Sequence, residues 1–214
     1  MLGYIGTFWE QFNWGALLEA LQRVLGVLLC LTVHETCHGL AAWALGDSTA
    51  RRENRVSLNP LRHIDWLGLA CMLLCGFGWA KSVPVDLRRF KNPRAGMALT
   101  ALAGPVSNLL LALALLFGAS LTLRVAPDSG FAWRLASFFM MTALLSIGLG
   151  LFNLLPIPPL DGSKVLFSIL PDRVYAKLLR YERYGFFVLL AIMYFDIGSK
   201  FLSEAINAVF LFLW

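Results

Sequence analysis

The chain of 214 residues is dominated by long apolar runs separated by short basic clusters. The first run extends over about Gly15–Leu45, the third over Met97–Val125 and the fourth over Phe131–Pro156, and each exceeds the roughly 20 residues that one bilayer crossing needs. Apolar residues make up 58% of the chain and charged residues only 14%, against about half and a quarter in soluble domains. This pattern excludes a water-soluble globule and predicts an all-α polytopic membrane protein.

Two further runs do not read as simple crossings. Ile64–Ala80 is short and ends in glycines, so we expect a membrane-re-entrant β or loop element whose flanks, Arg55–Leu58 and Ser82–Val85, are extended and pair with each other. Tyr184–Trp214 is interrupted by an aspartate and a glycine and is expected to hold one or two C-terminal membrane helices. We therefore expect about four to six transmembrane helices in a single membrane-embedded domain, residues 1–214.

Basic residues indicate on which side of the membrane each loop lies. Four follow the first run, five the second and five the fourth, whereas the loop between the third and fourth runs has only Arg124 and Arg134. Because cytoplasmic loops are enriched in Lys and Arg, that loop is expected outside and the three richer loops in the cytoplasm. The runs satisfy this only if Ile64–Ala80 returns without crossing. The net charge of +5 is therefore assigned to topology, and no nucleic-acid partner is expected.

An HExxH motif inside the first run, formed by His34, Glu35 and His38, carries the chemistry. On a helix, positions i and i+4 lie on one face, so both imidazoles point the same way at the spacing that one zinc ion needs. Glu35 points about 100° away and can serve as general base toward a water at the metal. Ionisable residues are costly inside a membrane, which favours a functional role over a pair of core histidines.

A catalytic zinc takes three protein ligands and keeps one position open, so a third ligand must come from elsewhere. Asp161 is the best candidate, because it follows Pro156–Pro159 at the end of the fourth run. Three prolines cannot continue a helix, and irregular backbone at membrane depth generally lines a cavity. The topology puts Asp161 and the histidines at the cytoplasmic ends of their runs, where they can meet. The alternative is that Asp161 caps a short helix over Gly162–Leu170.

Other polar residues leave alternatives open. Cys37, at i+3 from His34, could approach the metal, although a His2Cys set within one helical turn strains a tetrahedral site. His63 lies in a polar turn and is more typical of an interfacial residue or of one that supports a ligand. Asn108 and Asn153 either hydrogen-bond between helices or hold an extended substrate backbone.

Five segments follow one another in an order that resembles a known family: HETCHGLAAWALGD, NPLRHID, GWAKSVPVDLRRFKNPR, ALAGPVSNLL and NLLPIPPLDG. They are similar to the successive signatures of the site-2 protease family of intramembrane zinc metalloproteases, most of all its compact prokaryotic branch without PDZ or CBS domains. The resemblance covers Thr32–Leu170. It implies one zinc ion per chain with three ligands, a catalytic base and two substrate-binding amides: His34, His38 and Asp161; Glu35; Asn108 and Asn153.

The resemblance implies an intramembrane zinc metalloendopeptidase that cleaves membrane-protein substrates within or near their transmembrane segments, in regulated intramembrane proteolysis. It also implies a multi-pass protein of the prokaryotic inner or plasma membrane with its active site toward the cytoplasm. The partners expected are the lipid bilayer, transmembrane substrates and a regulatory membrane partner. The alternative is a zinc or proton-coupled transporter, which should place acidic or histidine residues on several spans, whereas the remaining runs offer mostly Asn and Asp196.

Overall fold

The computed structural model of the protein describes residues 13–75, 80–171, 174, 184–192 and 194–214. These residues are largely helical, and they contain no β-strand. In chain order the helices include α1 (Trp14–Ala44), α2 (Thr49–Arg52), α3 (Trp66–Cys75), α4 (Pro93–Val125), α5 (Gly130–Asn153), α6 (Asp161–Ser168) and α7 (Ser199–Leu213).

Among the described residues, α1, α4 and α5 are long and apolar enough to cross a membrane. The shortest, α5, has 24 residues and is about 36 Å long at 1.5 Å per residue, against a hydrocarbon core of about 30 Å. The first, third and fourth apolar runs are therefore confirmed as helices of a membrane protein. Further crossings stay a prediction.

Local sequence explains where α4 begins and α5 ends. The Asn92 side chain accepts a hydrogen bond from the Ala95 N–H at 3.2 Å, and Pro93 takes the first helical position, where a missing N–H costs nothing. Helix α5 stops at Asn153, and Pro156 follows three residues later. Because proline has no N–H and clashes with the preceding turn, the chain leaves the helix at this point, as predicted.

Helix α4 occupies the centre of the fold, where it packs against α1, α5 and α6. Small residues at the contact of α4 with α5 let the two helices approach closely. The core of this contact is at most 2% exposed and consists of Ala112, Leu116, Ala143 and Ile147. Since α1 and α6 share the same central neighbour, the histidine motif and Asp161 come to lie side by side.

The segment after α1 differs from the prediction. Trp66–Cys75 forms a helix, α3, and the expected pairing of Arg55–Leu58 with Ser82–Val85 is not present. In the described part of the chain, β pairing is limited to one antiparallel bridge between Ile64 and Ala80. A helix satisfies its backbone hydrogen bonds within the segment, which a short unpaired strand cannot do. Whether this element re-enters the membrane stays a prediction, and residues 76–79 lie outside the described residues.

The side chain of Arg55 connects the two segments that were expected to pair as strands. Its guanidinium donates hydrogen bonds to the backbone carbonyls of Arg62, Lys81 and Ser82. The residue is buried, so these carbonyls compensate part of the cost of removing the charge from water. One arginine thereby ties the chain before α3 to the chain after it.

The C-terminal run is broken where the sequence predicted. Residues 184–192 are helical, and the chain then turns through Asp196 and Gly198 before α7 begins at Ser199. The φ angles of Asp196 and Gly198 are 55° and 85°, in the left-handed region that favours glycine. Helix α7 packs its apolar face on the core between α4 and α5.

Candidate metal centre

Helix α1 presents His34 and His38 on the face that packs against α4. The two residues are 3% and 8% exposed, and their ring centroids lie 4.5 Å apart with nearly perpendicular planes. One helical turn separates them, so the predicted placement of both imidazoles on one face is confirmed.

Helix α4 contacts both rings. The carbonyl oxygen of Thr100 lies 2.7 Å from Nδ1 of His38, and the side-chain amide of Asn108 lies 3.2 Å from Nδ1 of His34. Between these contacts Gly104 provides the space that the rings need, because a Cβ there would lie 2.5 Å from Nε2 of His38 and 2.7 Å from Cε1 of His34. Helix α4 therefore engages Nδ1 of each ring and leaves Nε2 for a third residue.

That third residue is Asp161, the first residue of α6. Its Oδ2 lies 3.1 Å from Nε2 of His34 and 3.1 Å from Nε2 of His38. The chain reaches this position because Gly162 packs directly on the backbone of Leu154, where a Cβ would lie 2.1 Å from the carbonyl oxygen. Leu160 occupies the N-cap position of α6, so the alternative in which Asp161 only caps this helix is wrong.

The three side chains fit a zinc ion. Their ligand atoms all lie within 4.8 Å of one another, and the 3.1 Å separations are close to the roughly 3.3 Å edge of a tetrahedron with 2.0–2.1 Å bonds. Nδ1 of His38 must donate to the Thr100 carbonyl, so its Nε2 lone pair faces the Asp161 carboxylate. Two electron-rich atoms at that distance need a cation or a proton between them. Two imidazoles and one carboxylate form the donor set of a catalytic zinc site.

A cavity of about 570 Å³ adjoins this centre. Glu35, 8% exposed, lines it, and its Oε2 accepts a hydrogen bond from the Val83 N–H at 3.0 Å. Asn153 also lines the cavity, and its side-chain amide donates to the Leu149 carbonyl at 2.9 Å. The catalytic base predicted from the sequence therefore shares one cavity with the three candidate ligands.

Lys164 is a cavity residue that sequence reasoning missed. Its Nζ lies 3.4 Å from Oδ1 of Asp161, the oxygen that does not face the imidazoles. Residues three apart on a helix are neighbours, so the spacing of the two residues could have revealed the pair. Thr100 and Gly104 were also missed, because one acts through its backbone carbonyl and the other through the lack of a side chain.

The remaining sequence candidates do not join the ligand cluster found among the described residues. Within the described residues, neither Cys37 nor His63 belongs to the metal-ligand cluster. His63 is buried, and its Nε2 lies 2.7 Å from the Ser57 carbonyl, a contact that supports the loop before α3. Asn108 is fully buried, with its amide against His34.

Asp47 anchors the loop that contacts Glu35. Its buried carboxylate accepts hydrogen bonds from the N–H and hydroxyl of Thr49 and from the Asp86 N–H at 2.7 Å, and the Arg89 guanidinium lies 3.7 Å away. Burial raises the pKa of this carboxyl, but these hydrogen bonds and the nearby charge outweigh burial and hold the pKa below its ordinary value. The end of α1 is thereby joined to the segment that carries Val83.

Three helices able to span a membrane, a His–His–Asp centre and a glutamate in the same cavity define a class of protein, the membrane-embedded metallopeptidases. Comparison with known proteins agrees with this class. The sequence model of Peptidase family M50 matches residues 121–195. No solved structure matches the chain.

Two similar proteins are named as putative zinc metalloproteases. The chain is 39% identical over 191 residues, 86% of this chain and 85% of the relative, to the Bacillus subtilis protein named "Putative zinc metalloprotease YwhC". It is 28% identical over 199 residues, 90% of this chain and 69% of the relative, to the Mycolicibacterium smegmatis protein named "Putative zinc metalloprotease Rip2". The chain belongs to Peptidase family M50, the site-2 protease family, and is a zinc metalloendopeptidase.

Proposed function

We propose that this metalloendopeptidase hydrolyses peptide bonds within or near the transmembrane segments of membrane-protein substrates, in regulated intramembrane proteolysis. One observation carries the proposal: the His34, His38 and Asp161 cluster and Glu35 line a single cavity among helices that are apolar enough to cross a membrane. A site at that depth reaches peptide bonds that a water-soluble protease does not.

The proposed ligands of one zinc ion are His34, His38 and Asp161. Zinc bound there would polarise a scissile carbonyl and would lower the pKa of water toward about 7. Glu35 accepts the proton of the attacking water and passes it to the leaving amine. The Val83 N–H orients the Glu35 carboxylate through Oε2, so that Oε1 is the proton acceptor.

The substrate must unwind locally, because a transmembrane helix hides its peptide bonds in internal hydrogen bonds. We propose that the unwound stretch docks as an added strand beside the irregular segment that includes Ser82, Val83 and Val85, which lines the cavity. Asn153, on the cavity wall, is the proposed side-chain contact to the substrate backbone.

We further propose a multi-pass protein of the prokaryotic cell membrane with its active site toward the cytoplasm. The chain after α1, before α4 and after α5 is rich in Lys and Arg, whereas the turn between α4 and α5 is not. The catalytic cluster is at the basic ends of these helices. The full chain is proposed to act as one domain that meets its substrates, and a regulatory partner, within the bilayer.

The test uses the full-length protein in lipid vesicles with a single-span substrate whose apolar segment contains a helix-breaking residue. We expect Glu35→Gln to retain one zinc per chain and to lose cleavage by about 10²–10⁴-fold, because only the proton acceptor is removed. Glu53→Gln, an exposed glutamate outside the cavity, is the matched control and should cleave as the wild type does.

Mass spectrometry of the two fragments decides where the cut falls. A cut inside the apolar segment supports intramembrane hydrolysis, whereas cuts confined to the water-exposed tails contradict it. Cleavage by Glu35→Gln at the wild-type rate would remove Glu35 from the mechanism.

A further inference from the structure

One face of α4 holds a contact to each histidine of the metal centre. Thr100, Gly104 and Asn108 are spaced four residues apart and so lie on one face of the helix, opposite His38 and His34 in reverse order. Helices α1 and α4 therefore run antiparallel along this contact, and each imidazole has its own partner at Nδ1.

The partner of His38 has a fixed chemical identity. The Thr100 carbonyl can only accept, so Nδ1 of His38 carries a proton, and in the neutral ring Nε2 then keeps the lone pair that a metal requires. The same condition applies to His34, whose Nε2 also faces Asp161 at 3.1 Å. A neutral His34 that binds a metal through Nε2 carries its proton on Nδ1, and a buried Nδ1–H that lacks an acceptor costs free energy.

Asn108 is the hydrogen-bond partner of Nδ1 of His34, and its amide nitrogen faces that atom at 3.2 Å. Its amide offers an acceptor oxygen as well as a donor nitrogen, and rotation about the last side-chain bond exchanges the two atoms. Oδ1 of Asn108 is buried and has no hydrogen-bond partner in its present orientation. Rotation of the Asn108 amide would therefore bring this unpaired oxygen to face Nδ1 of His34, where it can accept the Nδ1–H.

The burial of Asn108 argues against a direct contact with substrate. The residue is 0% exposed and is absent from the lining of the cavity, unlike Asn153. Its backbone carbonyl also accepts a hydrogen bond from the Ser146 hydroxyl of α5 at 2.8 Å, which holds the residue between two helices. A peptide in the cavity would meet His34 before it could meet Asn108.

We propose that Asn108 is a positioning residue whose side-chain oxygen accepts the Nδ1–H of His34 and thereby fixes Nε2 as the metal-binding nitrogen. The inference rests on the proposed zinc ligands and gives Asn108 a role different from the substrate contact that the sequence resemblance implied. Partners of this kind orient a ligand and raise its basicity, and their loss typically costs 10–100-fold in metal affinity.

The experiment measures zinc affinity by competition with a chromophoric chelator on metal-stripped, detergent-solubilised full-length protein. Asn108→Leu keeps the branched shape and the number of side-chain heavy atoms and removes the acceptor, so its zinc affinity should fall about 10–100-fold. Asn108→Asp keeps an acceptor oxygen and should remain within a few-fold of the wild type. The absorption spectrum of the cobalt-loaded protein should change in Asn108→Leu and not in Asn108→Asp.

Ser146→Ala is the matched control for packing, because it removes a buried hydrogen bond to the backbone of the same residue and leaves the amide in place. It should bind zinc as the wild type does. Equal losses in Ser146→Ala, Asn108→Leu and Asn108→Asp would overturn the proposal in favour of a packing role. Unchanged zinc affinity in Asn108→Leu, with a raised KM for the substrate, would overturn it in favour of substrate binding. A wild type that binds no zinc would instead refute the proposed function.

Discussion

Helix α1 exposes apolar side chains along its first half and buries ionisable side chains along its second. A soluble protein shows the reverse pattern, with apolar side chains buried and ionisable ones exposed. Leu18, Leu21 and Leu25 are between 50% and 59% exposed, whereas His34 and Glu35 are at most 8% exposed. A row of large exposed apolar residues is favourable where the surroundings are apolar, as in a bilayer. Sequence changes in the second half are therefore expected to act on the metal centre, and those at the exposed leucines of the first half on lipid contact.

The sharpest test of the buried half is Gly104→Ala, the change with the largest expected effect. The new Cβ would lie 2.5 Å from Nε2 of His38, and both rings are held at Nδ1, so the ligand atoms themselves must move. We expect zinc affinity to fall about 10–100-fold, as it does when ligand orientation is lost. Chelator competition measures the change.

Gly118→Ala is the control for Gly104→Ala, because both glycines lie on α4. Its Cβ would meet only the Phe139 ring, at 3.3 Å, and no candidate ligand. Zinc affinity should stay at the wild-type value. If both variants lost zinc equally, the special role of the buried half would be contradicted.

Asp47→Asn tests how the buried half is joined to the loop that carries Val83. The neutral amide loses charge-assisted hydrogen bonds, so the free energy of unfolding should fall by about 1–3 kcal/mol at pH 7. Detergent-based unfolding of the two proteins measures the difference.

The pH dependence of that difference follows from the lowered pKa of Asp47. The stabilisation is fully present above the ordinary pKa of an aspartate, about 3.9, and is lost as the pH falls through the lower pKa of the folded protein. The wild type and Asp47→Asn should therefore converge in stability as the pH falls below that lowered pKa. Asp128→Asn, at an exposed site, should show no such convergence. A difference that is independent of pH would rule out the charge as its cause.

The smallest effect is expected at Leu25, in comparison with its neighbour Gly26, which points about 100° away around α1. Leu25 is 59% exposed, and Leu25→Ala should change the free energy of unfolding by no more than about 0.5 kcal/mol. Gly26 is buried, and a Cβ there would lie 3.0 Å from the Thr142 hydroxyl, so Gly26→Val should cost about 1–3 kcal/mol. Equal costs at both positions would remove the distinction between the two faces.

The three long helices could be predicted from hydropathy, because each of them begins and ends within a few residues of the bounds of a long apolar run. The convergence of Asp161 on the histidines could also be predicted, since loop charges and the prolines put both at the same side. The prediction of strand pairing before α4 was wrong. The Arg55 side chain joins the two segments by hydrogen bonds to backbone carbonyls, and such a contact has no periodic pattern in the sequence. The roles of Thr100 and Gly104 could not be predicted for a similar reason. Thr100 acts through its backbone carbonyl and Gly104 through its lack of a side chain, and neither feature forms a recognisable sequence motif.

The central claim is that His34, His38 and Asp161 bind one zinc ion, and anomalous X-ray scattering from crystals of the zinc-loaded full-length protein tests it most directly. We expect one zinc peak about 2.0–2.2 Å from Nε2 of each histidine and from a carboxylate oxygen of Asp161. A zinc ion held by the two histidines and a different third residue, or a peak elsewhere in the protein with none at this cluster, would contradict the account.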